Sequence, residues 1–579
     1  YDYKTGVYTT VVNKEDADGM YYLYKLYFRD VDINGKIIET VTYAVDPYAN
    51  SVSVNGDKGY VLDINEKSTK PIGFTNHPIP ILSEKDDSII YEMHIRDFTI
   101  DESSGVINDL RGTYLGAVEE NTIYKNPYNG KYVKTGIDHL CELGITHVHL
   151  MPIFDFGSVD ERFPGSNNRN WGYDPKNFNV PEGSYCSNPY NPVTRILELR
   201  QMIMKFHERG IRVVMDMVYN HMMSTVNMDN IVPGYYFRSD YLGRYTNGSG
   251  CGNELASERP MVRKFIIDSC LHWIKDYKID GIRFDLMELL DIDTTKEIVK
   301  KTTKLDKNFL IYGEPWKGGS SPLVNGTYKG SQKNENFSIF NDTFRDAIRG
   351  NNHPSSGFIN GNQYSSICNW SIIEGLKGSI YTITSNPNES INYVDAHDNY
   401  TLWDQVEKSQ NQSIKFGEFR FNIPDYPLNS NLVKQDLLGM AIIFTAQGIP
   451  FIQSGSEFLK TKQGDHNSYK SNDYINSIKW SDKERFIDVF KYNKGLIEIR
   501  KNLPHFKIKD PKIIKSNATF IFGGNNESCG VLLQHINLND FGKGEVLVIY
   551  NGTNIENYNV TSYAPLAQNG YWNIIANES

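Results

Sequence analysis

Four apolar runs in this chain end in residues able to do acid–base chemistry. Val213–Met215 runs into Asp216, with His221 just beyond; Ile279–Ile282 runs into Arg283-Phe284-Asp285. Phe309–Tyr312 ends in Gly313-Glu314-Pro315-Trp316, and Ile391–Val394 ends in Asp395-Ala396-His397-Asp398. In extended backbone, residues i and i+2 point to the same side, so Arg283 and Asp285 face one direction together. A guanidinium beside a carboxylate keeps it ionised, which a nucleophile at neutral pH requires. Glu314 has the opposite need if it serves as a general acid. A neighbouring carboxylate and the aromatic cover of Trp316 would raise its pKa. One carboxylate that attacks an anomeric carbon and another that protonates the leaving oxygen make a glycosidase of the retaining kind. A single acid after a strand is commonly the N-cap of the next helix, and Arg283 with Asp285 could form a structural ion pair. Three carboxylates at separate run ends, with two histidines and an arginine, exceed what capping supplies.

Such residues must be carried by a scaffold that brings strand ends together. Eight short apolar runs fall between about 88 and 452: Ser88–Ile95, Gly144–Pro152, Arg212–Met217, Gly281–Leu286, Phe309–Gly313, Phe337–Phe340, Ile391–Val394 and Gly448–Ile452. Amphipathic stretches such as Asn191–Arg209 and Met261–Tyr277 separate several of them. Continuously apolar strands alternating with helices predict an α/β fold, a (β/α)8 TIM barrel over 86–503, with the site at the C-terminal strand ends. Residues 1–85 alternate with period two in runs such as Tyr21–Phe28 and Glu39–Val45, which predicts a partial β-sandwich. Pro71, Pro78 and Pro80 mark a linker. After a helix at about Asp482–Asn502, the runs Ala518–Phe522, Val531–Ile536 and Glu545–Tyr550 predict a C-terminal antiparallel β domain over 504–579.

Composition narrows the partner. The chain of 579 residues carries a formal net charge of -10, so it lacks the broad cationic face that a nucleic acid would need. Aromatic residues make up 13%, including 38 Tyr and 7 Trp, and flat rings suit stacking on sugars as well as core packing. The six cysteines show no zinc-ligand or disulfide-framework spacing and read as thiols. The longest apolar stretch, Leu437–Ile452, is broken by Gly439, Gln447, Gly448 and Pro450, so no membrane span is expected. The chain opens as if inside a domain, as a trimmed portion of a larger multidomain chain would.

At Asp216–His221, Gly281–Asp285, Gly313–Trp316 and Val394–Asn399 the sequence resembles the α-amylase superfamily of retaining α-glucan enzymes. Asn170-Trp171-Gly172-Tyr173-Asp174-Pro175 resembles the signature of type I pullulanases, with Arg169 where that family has Tyr. Arg283–Met287 and Asn341–Asp346 also look pullulanase-like, whereas Pro315 stands where many pullulanases have Gly. The resemblance implies Asp285 as nucleophile, Glu314 as acid/base and Asp398 as the residue that steadies the distorted sugar. It implies Tyr173 as a stacking platform, with Asp216, His221, Arg283 and His397 around the same sugar and Trp316 on the leaving-group side. Trp171 and Asp174 belong to the signature. Asn467, Tyr469 and Asp473 are candidate glucan contacts on the loop after the last strand. The N-terminal module resembles a starch-binding type only in its later strands.

The implied substrate is an α-glucan polysaccharide or oligosaccharide cleaved at α-1,6 branch linkages. No cofactor is required. A structural calcium is expected at most near Asn220, since no carboxylate loop of EF-hand type is present. A polymeric substrate points to an extracellular setting, secreted or attached to the cell surface. Three other readings remain open. An α-1,4-cleaving amylase, neopullulanase or amylopullulanase would use the same three acids. A glucan-binding protein that has lost catalysis would lack one of them. A metal site for phosphoryl or carbonyl chemistry would need ligand motifs that are not found here.

Overall fold

The computed structural model describes residues 10–31, 34–523, 526–555 and 572–575. Eight parallel strands close into a barrel in simple chain order: β1 (Ile90–Met93), β2 (His147–Leu150), β3 (Arg212–Met217), β4 (Gly281–Phe284), β5 (Leu310–Gly313), β6 (Ser338–Phe340), β7 (Ser390–Asn392) and β8 (Ile449–Gln453). Each falls on one of the apolar runs. The ring is sealed by β8 pairing with β1 and β1 with β2.

Alternation sorts the side chains of these strands into two cores. Ile90, Val214, Leu310, Tyr312, Phe340, Ile391, Tyr393, Ile449 and Phe451 form one buried cluster inside the barrel. The intervening residues, such as Tyr91, Met93, Val213, Met215, Ile282, Phe284 and Ile311, join the larger cluster beneath the surrounding helices. Burial on both faces explains why these strands read as unbroken apolar runs. The helices Thr194–Glu208 and Pro260–Tyr277 occupy the predicted amphipathic stretches. The helix expected at about 482–502 is broken at Phe486 into Trp480–Arg485 and Ile487–Asn502.

In the N-terminal segment the strands Tyr24–Val31 and Ile37–Ala44 pair as an antiparallel ribbon, and Tyr21–Tyr22 pairs with Gly59–Tyr60. These are separate two-stranded sheets. At the other end β9 (Ala518–Phe522), β10 (Val531–Asn537) and β11 (Glu545–Asn551) form a three-stranded antiparallel sheet, preceded by a short helix, Pro511–Asn517, not expected from sequence. The outermost parts of both flanking regions lie outside the described residues. Among the described residues no helix is long and apolar enough to cross a membrane, and the six cysteines are free thiols.

Candidate active site

Strand register assembles the site. On β3 the apolar Val214 is followed two residues on by Asp216, and on β1 Ile90 is followed by Glu92. Both polar residues therefore rise one layer above the apolar filling of the barrel. Asp216 is level with Arg283 across the β3–β4 pair, Arg283 with Tyr312 across β4–β5, and Glu92 with His149 across β1–β2. Asp285 continues the inward file of β4, and Glu314 that of β5. The polar layer sits at the C-terminal mouth, where barrels of this kind carry their chemistry.

Arg283 is the hub. Its Nη1 donates to Asp216 Oδ1 at 2.8 Å and to Asp285 Oδ1 at 2.9 Å, while its Nη2 lies 2.6 Å from Glu314 Oε1. The other oxygen of Asp285 accepts from the Asn220 side-chain amide at 2.8 Å. The other oxygen of Glu314 accepts from the backbone N–H of Leu286 at 3.0 Å. That N–H is aimed by a left-handed turn, Leu286 having φ 40°, a conformation a leucine adopts only under local constraint. Asp216 also accepts from the Tyr173 hydroxyl at 2.7 Å and lies 3.2 Å from His149 Nε2. The Tyr173 ring stacks on His397, with centroids 4.8 Å apart and planes at 19°. Trp171 meets the same imidazole edge-on at 4.9 Å. His397 Nε2 is 3.7 Å from Asp398 Oδ1, and Asp398 is exposed to the cleft with its side chain 57% accessible.

The electrostatics separate the carboxyl groups. Burial is the largest influence on Glu314; with Asp285 and Asp398 adding to it and Arg283 opposing, the carboxyl is pushed up to about 8. Burial also lifts Asp285, against the pull of Arg283 and the Asn220 amide. Burial therefore outweighs the guanidinium, contrary to the expectation that Arg283 governs Asp285. Asp216 is buried as well, yet Arg283 and the two histidines bring it down to about 2. Burial lowers His221 to about 4, leaving it neutral, with Nδ1 2.6 Å from Asn220 Oδ1.

The remaining predicted residues occupy varied positions. Trp316 is half-buried against the aromatic filling of the barrel, so the lift on Glu314 comes from its burial and from like charge. Asp174 is half-buried and accepts from Ser158 at 2.9 Å, and burial raises it to about 6. Asn467 and Tyr469 are exposed on the loop after β8. Asp473 is engaged instead by a bidentate pair with Arg96, at 2.9 and 2.7 Å. Arg169, the departure from the signature, is buried and forked onto Asp97. Its Nη1 also donates to the carbonyls of Ser468, Tyr469 and Ser471, pinning that loop to the signature segment.

Glu92, His149 and Lys462 join the site without having been singled out from sequence, and Asn220, noted there only for calcium, holds Asp285. Lys462 donates to the His397 carbonyl at 2.8 Å. The available signal for Glu92 was a lone carboxylate inside an apolar run, in step with Ile90.

Calcium does not fit at Asn220. The side-chain oxygen of that residue is taken up by His221 and its amide by Asp285. One buried carboxylate cluster does occur among the described residues, Asp155, Glu161 and Glu182. The Arg195 guanidinium lies 2.8 Å from Glu161 and 3.4 Å from Asp155 there, supplying positive charge from the chain itself.

An eight-stranded parallel barrel whose mouth gathers Asp216, Arg283, Asp285, Glu314, His397 and Asp398 defines the α-amylase class of proteins. The family model for the α-amylase catalytic domain matches residues 131–231. The chain is 40% identical to the pullulanase of Bacillus subtilis (strain 168) over 517 residues, covering 87% of this chain and 66% of that protein. It superposes on pullulanase from Bacillus acidopullulyticus with a TM-score of 0.82 at 40% identity, covering 93% of this chain and 62% of that one. With pullulanase from Paenibacillus barengoltzii, in complex with maltohexaose and α-cyclodextrin, the TM-score is 0.81 at 37% identity. That match covers 92% of this chain and 79% of the other. The chain belongs to the type I pullulanases of the α-amylase family. It spans a little under two thirds of the Bacillus subtilis and Bacillus acidopullulyticus relatives.

Proposed function

We propose that the chain hydrolyses α-1,6 branch linkages within pullulan, amylopectin and limit dextrins by double displacement with retention. The observation that carries this is the single guanidinium of Arg283, which touches both Asp285 and Glu314. Sharing one guanidinium keeps the two carboxyl groups close together, as a retaining pair requires.

Asp285 attacks the anomeric carbon as the glycosidic C–O bond breaks, and Glu314 delivers its proton to the departing oxygen. With Glu314 lifted to about 8, that proton is in place at neutral pH. Glu314, now ionised, then takes a proton from water, whose oxygen displaces Asp285 from the sugar and restores both groups. Asp398 holds ring hydroxyls of the sugar as oxocarbenium character develops. Tyr173, fixed by Asp216 and stacked on His397, supports the sugar from below. Trp171, Asp174, His221, Trp316, Asn467 and Tyr469 serve as further glucan contacts. Asp473 acts through its pair with Arg96 by holding the loop.

Preference for α-1,6 linkages rests on the Trp171–Pro175 segment and on the relatives named pullulanase. The complex of the Paenibacillus barengoltzii enzyme with maltohexaose supports a malto-oligosaccharide in the cleft. Polymeric substrate favours an extracellular site of action. Product analysis on pullulan, amylose and panose tests the assignment. Maltotriose from pullulan with amylose intact is expected; panose from pullulan, or maltose from amylose, would make the protein an α-1,4-cleaving relative.

A further inference from the structure

Glu92 is an unusual residue in its position. It lies on β1, in a run whose neighbours are fully buried, and is itself 1% exposed. Its Oε1 is 2.7 Å from His397 Nδ1. Its Oε2 is buried with no hydrogen-bond partner among the described residues. A buried carboxylate with one oxygen unsatisfied costs free energy that a glutamine or methionine of similar size would not incur. A hydrogen bond to imidazole alone does not require the charge, because a glutamine could make it. The negative charge itself must therefore have a use.

The use is visible in what surrounds His397. Tyr173 covers one face of the ring, Trp171 meets its edge, and Lys462 ties its carbonyl. The ring cannot turn, so Nδ1 stays on Glu92 and Nε2 stays toward Asp398 at 3.7 Å. With Nδ1–H donated to Glu92, a neutral imidazole would present a bare Nε2 to a carboxylate and to sugar hydroxyls. An imidazolium presents an N–H there instead. We propose that Glu92 is a positioning residue that holds His397 as an oriented imidazolium, so that Nε2–H serves as a donor beside Asp398 at the cleavage subsite.

The titratable and charged groups around the ring are Glu92 from β1, Asp216 from β3, Arg283 from β4, Asp398 from its own loop and the Tyr173 hydroxyl, 3.3 Å from Nδ1, with His149 of β2 beside Asp216 and Lys462 on the His397 carbonyl. Burial and Arg283 work against protonation of His397. Glu92 and Asp398 outweigh them and raise it to about 9. The inference builds on the proposed glucan hydrolysis, but its first readout is independent of activity.

The test is Glu92→Gln, beside Glu92→Asp and His397→Asn. In protein labelled with ¹⁵N-histidine, His397 is identified as the ring signal lost in His397→Asn. The ring should stay doubly protonated through neutral pH in the wild type. In Glu92→Gln it should lose a proton on the order of two pH units lower, the size of shift a partner carboxylate commonly sets. On pullulan, kcat/KM of Glu92→Gln should fall about tenfold or more at pH 8 and recover toward wild type at pH 5, where the ring protonates again. Glu92→Asp, which keeps the charge, should retain the wild-type pH profile at reduced rate and also covers the case in which the glutamine variant does not fold. An unshifted His397 titration in Glu92→Gln, a loss equal at every pH, or an aspartate variant that titrates like the glutamine one would overturn the proposal. A wild type that leaves pullulan intact would defeat the functional reading while leaving the histidine titration to decide this one.

Discussion

Replacing Asp285 with asparagine keeps its shape and removes one negative charge from a site where that charge acts on Glu314. Asp285 is among the groups that raise Glu314 to about 8. Two unit charges on the order of 5 Å apart at an effective dielectric near 20 repel by about 3 kcal/mol. That energy corresponds to about two pH units, so Glu314 should titrate at clearly lower pH in the variant than in the wild type. Arg283, released from one of its anions, should lean further toward Glu314 and push in the same direction. Difference infrared spectroscopy of the protonated carboxyl band reads the titration directly, with a Glu314→Gln protein identifying the band. Pullulan hydrolysis should fall about 10⁴-fold or more, the scale seen when one member of a catalytic unit is removed. Oligosaccharide binding measured by calorimetry should survive. A Glu314 titration that stays at its wild-type position would refute the electrostatic coupling. Equal release of reducing sugar by variant and wild type would refute Asp285 as the nucleophile.

Arg169→Met leaves Asp97 buried without its main counter-ion and should cost about 3–5 kcal/mol, read as a lowered denaturation midpoint. Burial opposes ionisation of Asp97, but Arg169 and His94 hold it well below the usual carboxylate range. The stability it contributes is therefore present above its unfolded value of about 3.9 and lost as the pH falls toward the folded value, so the wild-type advantage over Arg169→Met should shrink in acid. Tyr173→Phe removes the hydroxyl from Asp216 but keeps the ring on His397. A hydrogen bond to a charged group is worth about 1.5–3 kcal/mol, so kcat/KM on pullulan should drop at least about tenfold, and Tyr173→Ala should lose more. Arg195 pairs with Glu161 and Asp155, so treatment with a chelator should leave both the thermal midpoint and pullulan hydrolysis unchanged; a lowered midpoint restored by calcium would show that a metal holds the Asp155–Glu161–Glu182 cluster.

Much of this protein is legible in its sequence because the barrel imposes local patterns. Strands buried on both faces must be apolar throughout, so all eight runs stood out. Chemistry at their C-terminal ends then pointed to Asp216, Arg283, Asp285, Glu314, His397 and Asp398, with Asp395 equally placed, and the family resemblance supplied their roles. The alternation that joined Arg283 to Asp285 also holds in the folded strand. What the chain could not disclose locally are contacts between residues far apart in sequence. Glu92 and His397 meet because β1 closes the barrel beside β8, and the loop after β7 folds over its mouth. Arg169 reaches Asp97 and the carbonyls of 468–471 through the same closure. Asp473 read as a loop carboxylate open to substrate until the fold supplied Arg96. The balance of charge was likewise a tertiary result. Adjacent residues show that a guanidinium neighbours a carboxylate. Whether burial or that neighbour prevails at Asp285 and Glu314 depends on how much water the assembled barrel removes from both.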